Sequence, residues 1–201
     1  MSNSKIQMIA KVAIMGALAS IIMIIDIPLP FVPPFYKLDF SEVIILLSGF
    51  ALGPIPAIGV EAIKILIHLL LEGSQTAGVG EVANFIMGCS YVIPAVIIYR
   101  QHKTKKQAVI GLFIGMVSLT IIASLLNYFI LLPVYASAFQ MPMDALIAMG
   151  TAVNPSINSL VSFILIAVVP FNIVKGGLVG LFVFLLYKHV SPVIKKNYNH
   201  K

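Results

Sequence analysis

The sequence predicts an all-α integral membrane protein, a bundle of six transmembrane helices with both termini in the cytoplasm. Three observations carry that prediction. Hydrophobic residues make up 60% of the 201 and charged residues only 10%. A soluble chain of this size must clothe itself in polar side chains, whereas a chain in lipid puts apolar ones outside as well as inside. Apolar runs of spanning length recur along the chain, and the basic residues gather at the same end of successive runs.

The first expected span covers residues 6–25. Lys5 and Lys11 ahead of Ala17-Leu18-Ala19 resemble a secretion signal, but the apolar run continues through Ile25 and further spans follow, so an uncleaved helix fits better. Pro28, Pro30, Pro33 and Pro34 then forbid helix and dictate a stiff outer loop over 27–41. The apolar stretch from Val43 to Leu71 would be about 43 Å long as one helix, too long for a hydrocarbon core of about 30 Å. Gly53-Pro54-Ile55-Pro56 divides it into spans 42–53 and 55–72, the first too short to cross fully unless the bilayer thins.

Residues 81–99 give a fourth span, closed by the polar run from Arg100 to Lys106, and 107–132 a fifth, closed by Pro133. Between Val134 and Val169 the apolar pieces Met141–Ala148 and Ser159–Val169 are each short and are separated by Asn154-Pro155, which predicts short outer cap helices. Pro170 suits a first helical turn and opens the last span, 170–189. With six spans, Lys5, Lys11, Arg100, Lys103, Lys105, Lys106, Lys188, Lys195, Lys196 and Lys201 all fall on one side and only Lys37 lies in an opposite loop. The basic side is the cytoplasm. A seventh span would send Lys195-Lys196 outside and break that asymmetry.

The net charge of +6 does not point to nucleic acid, because the basic residues sit at helix ends and not on one face interleaved with stacking aromatics. Cys89 is the single cysteine, which excludes an internal disulfide or cysteine metal site and reads as a buried thiol. Polar groups inside a membrane cost several kcal/mol unless they line a cavity or find partners, so each is a functional candidate. Followed along the helices, polar groups of five spans fall at one outer level: Asp39 and Glu42 at the second span, His68 and Glu72 at the third, Glu81 and Asn84 at the fourth, Asn127 at the fifth, Asn172 and Lys175 at the sixth. The inner halves carry almost none, which argues for an outward-opening pocket and against a pore.

Asn172 and Lys175 share a helix face and offer amide and ammonium to a planar heterocycle with carbonyls. Alternatively, Lys175 pairs with a carboxylate such as Glu42 and Asn172 caps the helix. Glu61, Lys64 and His68 share a face of the third span and read as a local ion pair with His68 reaching outward. His68 and Glu72 have metal-ligand spacing without a second histidine, so no metal site is expected. On the first helix Ala10, Ala13, Gly16 or Ala17, and Ser20 form a small-residue stripe, suited either to internal packing or to a separate membrane subunit.

Three strings in order, Pro33-Pro34-Phe35-Tyr36-Lys37-Leu38-Asp39-Phe40-Ser41-Glu42, Gly49-Phe50-Ala51-Leu52-Gly53-Pro54, and Val169-Pro170-Phe171-Asn172-Ile173-Val174-Lys175-Gly176, resemble the riboflavin-specific S components of energy-coupling factor (ECF) transporters. The resemblance implies a multi-pass protein of the bacterial plasma membrane that captures riboflavin, or alternatively FMN or FAD, at its outer face. It implies partners, namely a transmembrane coupling subunit and two ATPase subunits, with no cofactor and no catalysis in this chain. The absence of a Walker-type loop agrees. It further implies flavin contacts from Asn127, Asn172 and Lys175, with Leu38, Asp39, Phe40, Glu42 and Asn84 bordering the ring and Lys37, Lys64 and Gly80 as weaker candidates. Ala13 and Ala17 match the family's Ala-x-x-x-Ala docking pattern, which extends to Gly16 and Ser20. Two rivals fit less well. A stand-alone secondary transporter would need internal repeats and midplane carboxylates, for which only Glu61 is placed. A membrane enzyme would need a reactive cluster that the four scattered histidines do not form.

Overall fold

The first apolar run winds into α1 (Asn3–Ile24) in the computed structural model, which describes residues 3–74 and 76–196; Lys201 falls outside them. The prolines end α1, but the loop after it is not simply extended. Its two ends pair as a short antiparallel hairpin, β1 (Ile27–Pro28) with β2 (Lys37–Leu38), in the register Ile27 opposite Leu38 and Pro28 opposite Lys37. Helix α2 (Ser41–Leu52) meets α3 (Pro54–Glu72) at Gly53, whose φ of +116° is open to glycine alone among common residues. Pro54 then opens α3 where a missing N–H costs nothing. Helix α4 (Val79–His102) ends on left-handed Lys103, and the Thr104 side chain caps α5 (Lys105–Leu126) by accepting from the Gln107 N–H at 3.2 Å.

Two prolines read as helix boundaries prove to be interior. A π-helical turn over Asn127–Leu131 carries α5 into α6 (Leu132–Ala138), so the helix continues past Leu132. Helix α8 (Leu160–Phe163) runs through a second π turn, Ile164–Val168, into α9 (Val169–Lys196), so the last helix starts ten residues before Pro170. Each π turn immediately precedes a proline at the second position of the following segment. The wider i+5 pattern lets a carbonyl that proline cannot serve accept from the next N–H, and it relieves the ring's clash with the preceding turn. Ser159 and Ser162 form a reciprocal capping box at the true start of the last helix. Only α7 (Met143–Val153) therefore remains a separate cap helix among the described residues.

Helix α1 packs on α3 and α2, α4 on α5 and α3, and α9 on α5 and α2. The outward faces are apolar: Ile14, Leu70, Phe113 and Phe129 are each more than 60% exposed. Among the described residues, five helices are long and apolar enough to cross a membrane, and α2 and α7 are shorter apolar ones.

The shortness of α2 sets the depth of everything attached to it. Its 12 residues span about 18 Å. The turn at Gly53 lies against the Arg100 guanidinium near the cytoplasmic end of α4. The start of α2 consequently stands well inside the bundle, level with the middle of α4, and the hairpin loop folds down to reach it. Asp39 and Glu42 are thus recessed toward mid-depth and do not lie at the outer boundary where the sequence placed them.

Candidate functional site

Because the hairpin loop is drawn inward, its aromatic tip closes the mouth of the bundle. Val32 and Tyr36 are buried with Phe163, Ala167 and Phe171 of the last helix, and the Tyr36 ring lies 5.4 Å from that of Phe171. The Tyr36 hydroxyl donates to Asn127 Oδ1 at 2.6 Å, and Asn127 Nδ2 donates to the Ala123 carbonyl at 2.8 Å. Burial, and to a lesser degree Tyr135, pushes the Tyr36 phenol well above its ordinary range.

Lys175 pairs with Asp39, not with Glu42: its Nζ lies 2.7 Å from Asp39 Oδ2. Asp39 Oδ1 accepts from both the backbone N–H and the hydroxyl of Ser41, which ties the loop to the first turn of α2. Burial opposes the charge on Asp39. The Lys175 and Lys64 ammonium groups and the bonds from Lys175 and Ser41 outweigh it, and hold the carboxyl well below the usual carboxylate range. Asn172 does not cap a helix, because the helix runs through it; its Nδ2 donates to the Val168 carbonyl at 2.8 Å.

Glu61 and Lys64 form the expected local ion pair, but the pair is buried and extends beyond its own helix. Lys64 is 1% exposed and its Nζ lies 2.8 Å from Glu42 Oε1, 2.9 Å from Glu61 Oε1 and 3.4 Å from Asn84 Oδ1, joining three helices. His68 turns to Glu72 at 3.5 Å. Cys89 is half-buried and carries no disulfide, where the sequence suggested a buried thiol.

A cavity of about 150 Å³ lies among these groups, lined on the polar side by Lys37, Glu42, Asn84, Asn127, Asn172 and Lys175. Its apolar wall comes from Tyr36, Met87, Tyr91 and Phe171, and Gly80 leaves room at the rim. Along α4 it runs from Gly80 to Tyr91, about 16 Å of depth. It adjoins an outer vestibule of about 320 Å³ through shared residues including Phe35, Lys37, Asn84 and Lys175, and there Asp26, Asp39, His68, Glu72 and Glu81 join the wall. Together the two reach the size of a site for a small heterocyclic ligand.

Most of the expected polar residues therefore meet in one place. Leu38 and Phe40 do not: Leu38 is buried in the hairpin and Phe40 packs edge-on against Phe182 at 5.0 Å. Lys64 sits behind the cavity and reaches it only through Glu42 and Asn84. The aromatic wall of Phe35, Tyr36, Tyr135 and Phe171 was missed, although Phe35-Tyr36 between prolines and Lys37 was a readable signal, since two aromatic rings in a non-helical loop need somewhere to bury. On α1, Gly16 packs on Ile63 of α3 and Ser20 is fully buried, so they belong to the internal seam; Ala13 is exposed and Ala17 half-exposed.

The model of the family described as "ECF transporter, substrate-specific component" matches residues 7–187. The riboflavin transporter RibU of Staphylococcus aureus (strain TCH60) is 36% identical over 185 residues, covering 92% of this chain and 90% of that protein. The riboflavin transporter FmnP of Bacillus subtilis (strain 168) is 30% identical, with 96% of each covered. A solved structure described as the S component of a bacterial ECF transporter superposes with a TM-score of 0.73 at 32% identity, covering 95% of this chain and 99% of that one. A multi-pass membrane protein with a solute-sized cavity is what such a component should be, and the chain belongs to the substrate-specific components of ECF transporters.

Proposed function

We propose that this chain captures riboflavin from outside the cell in the cavity beneath the hairpin loop, for delivery through an ATP-driven ECF module made of a transmembrane coupling subunit and two ATPase subunits. The observation that carries the reading is the convergence of Asn127, Asn172 and Lys175 on one aromatic-walled cavity, in a chain so similar over its whole length to riboflavin transporters. A flavin ring system is flat and apolar on its faces, with carbonyls and ring nitrogens along one edge. Tyr36 and Phe171 supply surfaces for the faces, while two amides and an ammonium supply donors for the edge. Each donor already has a protein partner: Asn127 and Asn172 bond to backbone carbonyls and Lys175 to Asp39. An amide carries two N–H donors and an ammonium three, so each can keep this bond and still donate to a ligand without stranding a buried group.

Docking to the coupling subunit is assigned to the exposed flank of α1 at Ala13 and Ala17, where short side chains allow close approach of another helix. Purified protein should quench the fluorescence of added riboflavin stoichiometrically. Lys175→Ala should weaken that binding at least tenfold, about 1.4 kcal/mol. A preparation that leaves riboflavin fluorescence unchanged points to a different vitamin.

A further inference from the structure

One cluster is used by the ligand cavity only in part. Glu42, Glu61 and Lys64 are 5%, 1% and 1% exposed; Glu42 lines the cavity, and Glu61 and Lys64 stand behind its wall. At 1.5 Å per residue, Glu61 and Lys64 stand about 10–15 Å above the start of α3, near the middle of the hydrocarbon layer. Two carboxylates there face one ammonium. The remaining charges nearby do not correct the imbalance, because Asp39 from the hairpin loop is matched one to one by Lys175 from α9. Two further titratable side chains lie near the acids, both on α4, Cys89 beside Glu61 and Tyr91 beside Glu42, and neither a thiol nor a phenol supplies a positive charge.

The two carboxylates are also unequally bonded. Glu42 Oε1 accepts the hydrogen bond from Lys64. Lys64 also lies 2.9 Å from Glu61 Oε1 as an ion pair, and beyond that one ammonium Glu42 Oε2 and the Glu61 oxygens have no hydrogen-bond partner among the described residues. Helix α4 closes over both acids at Gly88, where any side chain would collide with the Glu61 carboxylate. A fully ionised triad would leave one unpaired negative charge sealed at mid-membrane, at a cost of several kcal/mol. Taking up a proton removes that charge.

We infer that the Glu42–Glu61–Lys64 triad is a proton-binding site, carrying one resident proton on Glu61 so that the wall behind the ligand cavity is neutral. The proton is held permanently and is not exchanged for the solute. Glu61, the one carboxylate that the sequence placed for coupling-ion work, is thereby a fixed neutral acid in a transporter that draws its energy from a separate module. The site itself stands whatever the ligand; only its retention on loading rests on the riboflavin reading.

Infrared difference spectroscopy on the whole protein in lipid vesicles at neutral pH reads this directly. The carbonyl stretch of a neutral carboxylic acid, shifted by deuterium exchange, is expected in the wild type at one group per chain. Glu61→Gln, the isostere of the neutral acid, should abolish it. Glu42→Gln should abolish it as well, because the remaining Glu61 and Lys64 then balance as ions. This second variant keeps the inference open to refutation should the first not fold. The band should also survive saturation with riboflavin. No band in the wild type, a band that persists in either Gln variant that folds, or its loss on loading would overturn the inference. Failure of riboflavin to bind at all, with the band intact, would count against the ligand assignment alone.

Discussion

The outer and inner halves of this bundle are built on opposite rules. In the outer half, ion pairs, amides and aromatic rings from the hairpin loop and several helices surround open space. In the inner half, Phe50, Tyr99 and Tyr187 fill the axis. The rings of Phe50 and Tyr99 lie 4.2 Å apart and the two tyrosine hydroxyls 3.1 Å apart. Tyr91 marks the border, lining the cavity above while its hydroxyl donates to the Gly176 carbonyl at 2.7 Å. Among the described residues these rings fill the axis beneath the cavity. On the proposed reading, delivery to the cytoplasm then calls for movement of the bundle and not for a channel through a fixed frame.

That contrast can be broken by exchanging the roles of the two halves. Phe50→Ala in the inner half should cost about 3–5 kcal/mol of stability through the cavity it leaves, with riboflavin affinity changed by less than twofold in the protein that remains folded. Lys64→Met in the outer half should cost about 3–5 kcal/mol as well, because it strands a buried carboxylate, and should also weaken binding through Glu42 and Asn84. Thermal unfolding in detergent beside fluorescence titration separates the two. If Phe50→Ala lowers affinity as much as Lys64→Met, the inner half is part of the site and the division into filled and open halves is wrong.

Much of this was legible in the sequence, and the errors have common physical causes. Composition and apolar run length give a helical membrane protein because the bilayer allows few alternatives. Asn127, Asn172 and Lys175 could be found because an amide or ammonium inside a span demands a reason. Pro133 and Pro170 misled because a proline is compatible with a helix whose preceding turn widens, and no local signal announces a π turn. The Ser159–Ser162 capping box was the available clue to the longer last helix. Depth misled as well: Asp39 was assigned by its order along the chain, whereas the actual level depends on how far a 12-residue α2 can reach. Partner choice, Lys175 with Asp39 and Lys64 with Glu42, is set by that depth and cannot be read from spacing within either helix.

An intermediate effect tests how the hairpin is fastened. The folded-state value of Asp39 lies below the ordinary aspartate value of about 3.9 that it regains on unfolding. Its pair with Lys175 therefore contributes stability that is fully present above about pH 4 and is lost only as pH falls through the lower folded value. Asp39→Asn should lower stability by about 1–3 kcal/mol, and the gap between variant and wild type should be the same at pH 7 and pH 5. A gap that shrinks across that interval would mean that Asp39 titrates there and is less firmly held than its partners suggest.

The smallest effect concerns the vestibule. Two of its acids are neutralised within the protein, Asp26 by Lys37 and Asp39 by Lys175, both at 2.7 Å. Glu72 and Glu81 remain; among the described residues Glu72 has His68 beside it, and Glu81 the Ser74 hydroxyl and Tyr135, none of them a lysine or arginine. A phosphorylated flavin whose tail extends into this space meets like charge, partly screened by water, whereas the neutral ribityl chain of riboflavin does not. FMN should accordingly bind more weakly than riboflavin, and Glu72→Gln with Glu81→Gln should narrow the difference by a few-fold, about 0.5–1 kcal/mol, in a way that added salt reproduces. Equal gains for both ligands would show that the two carboxylates act on the shape of the vestibule and not through their charge.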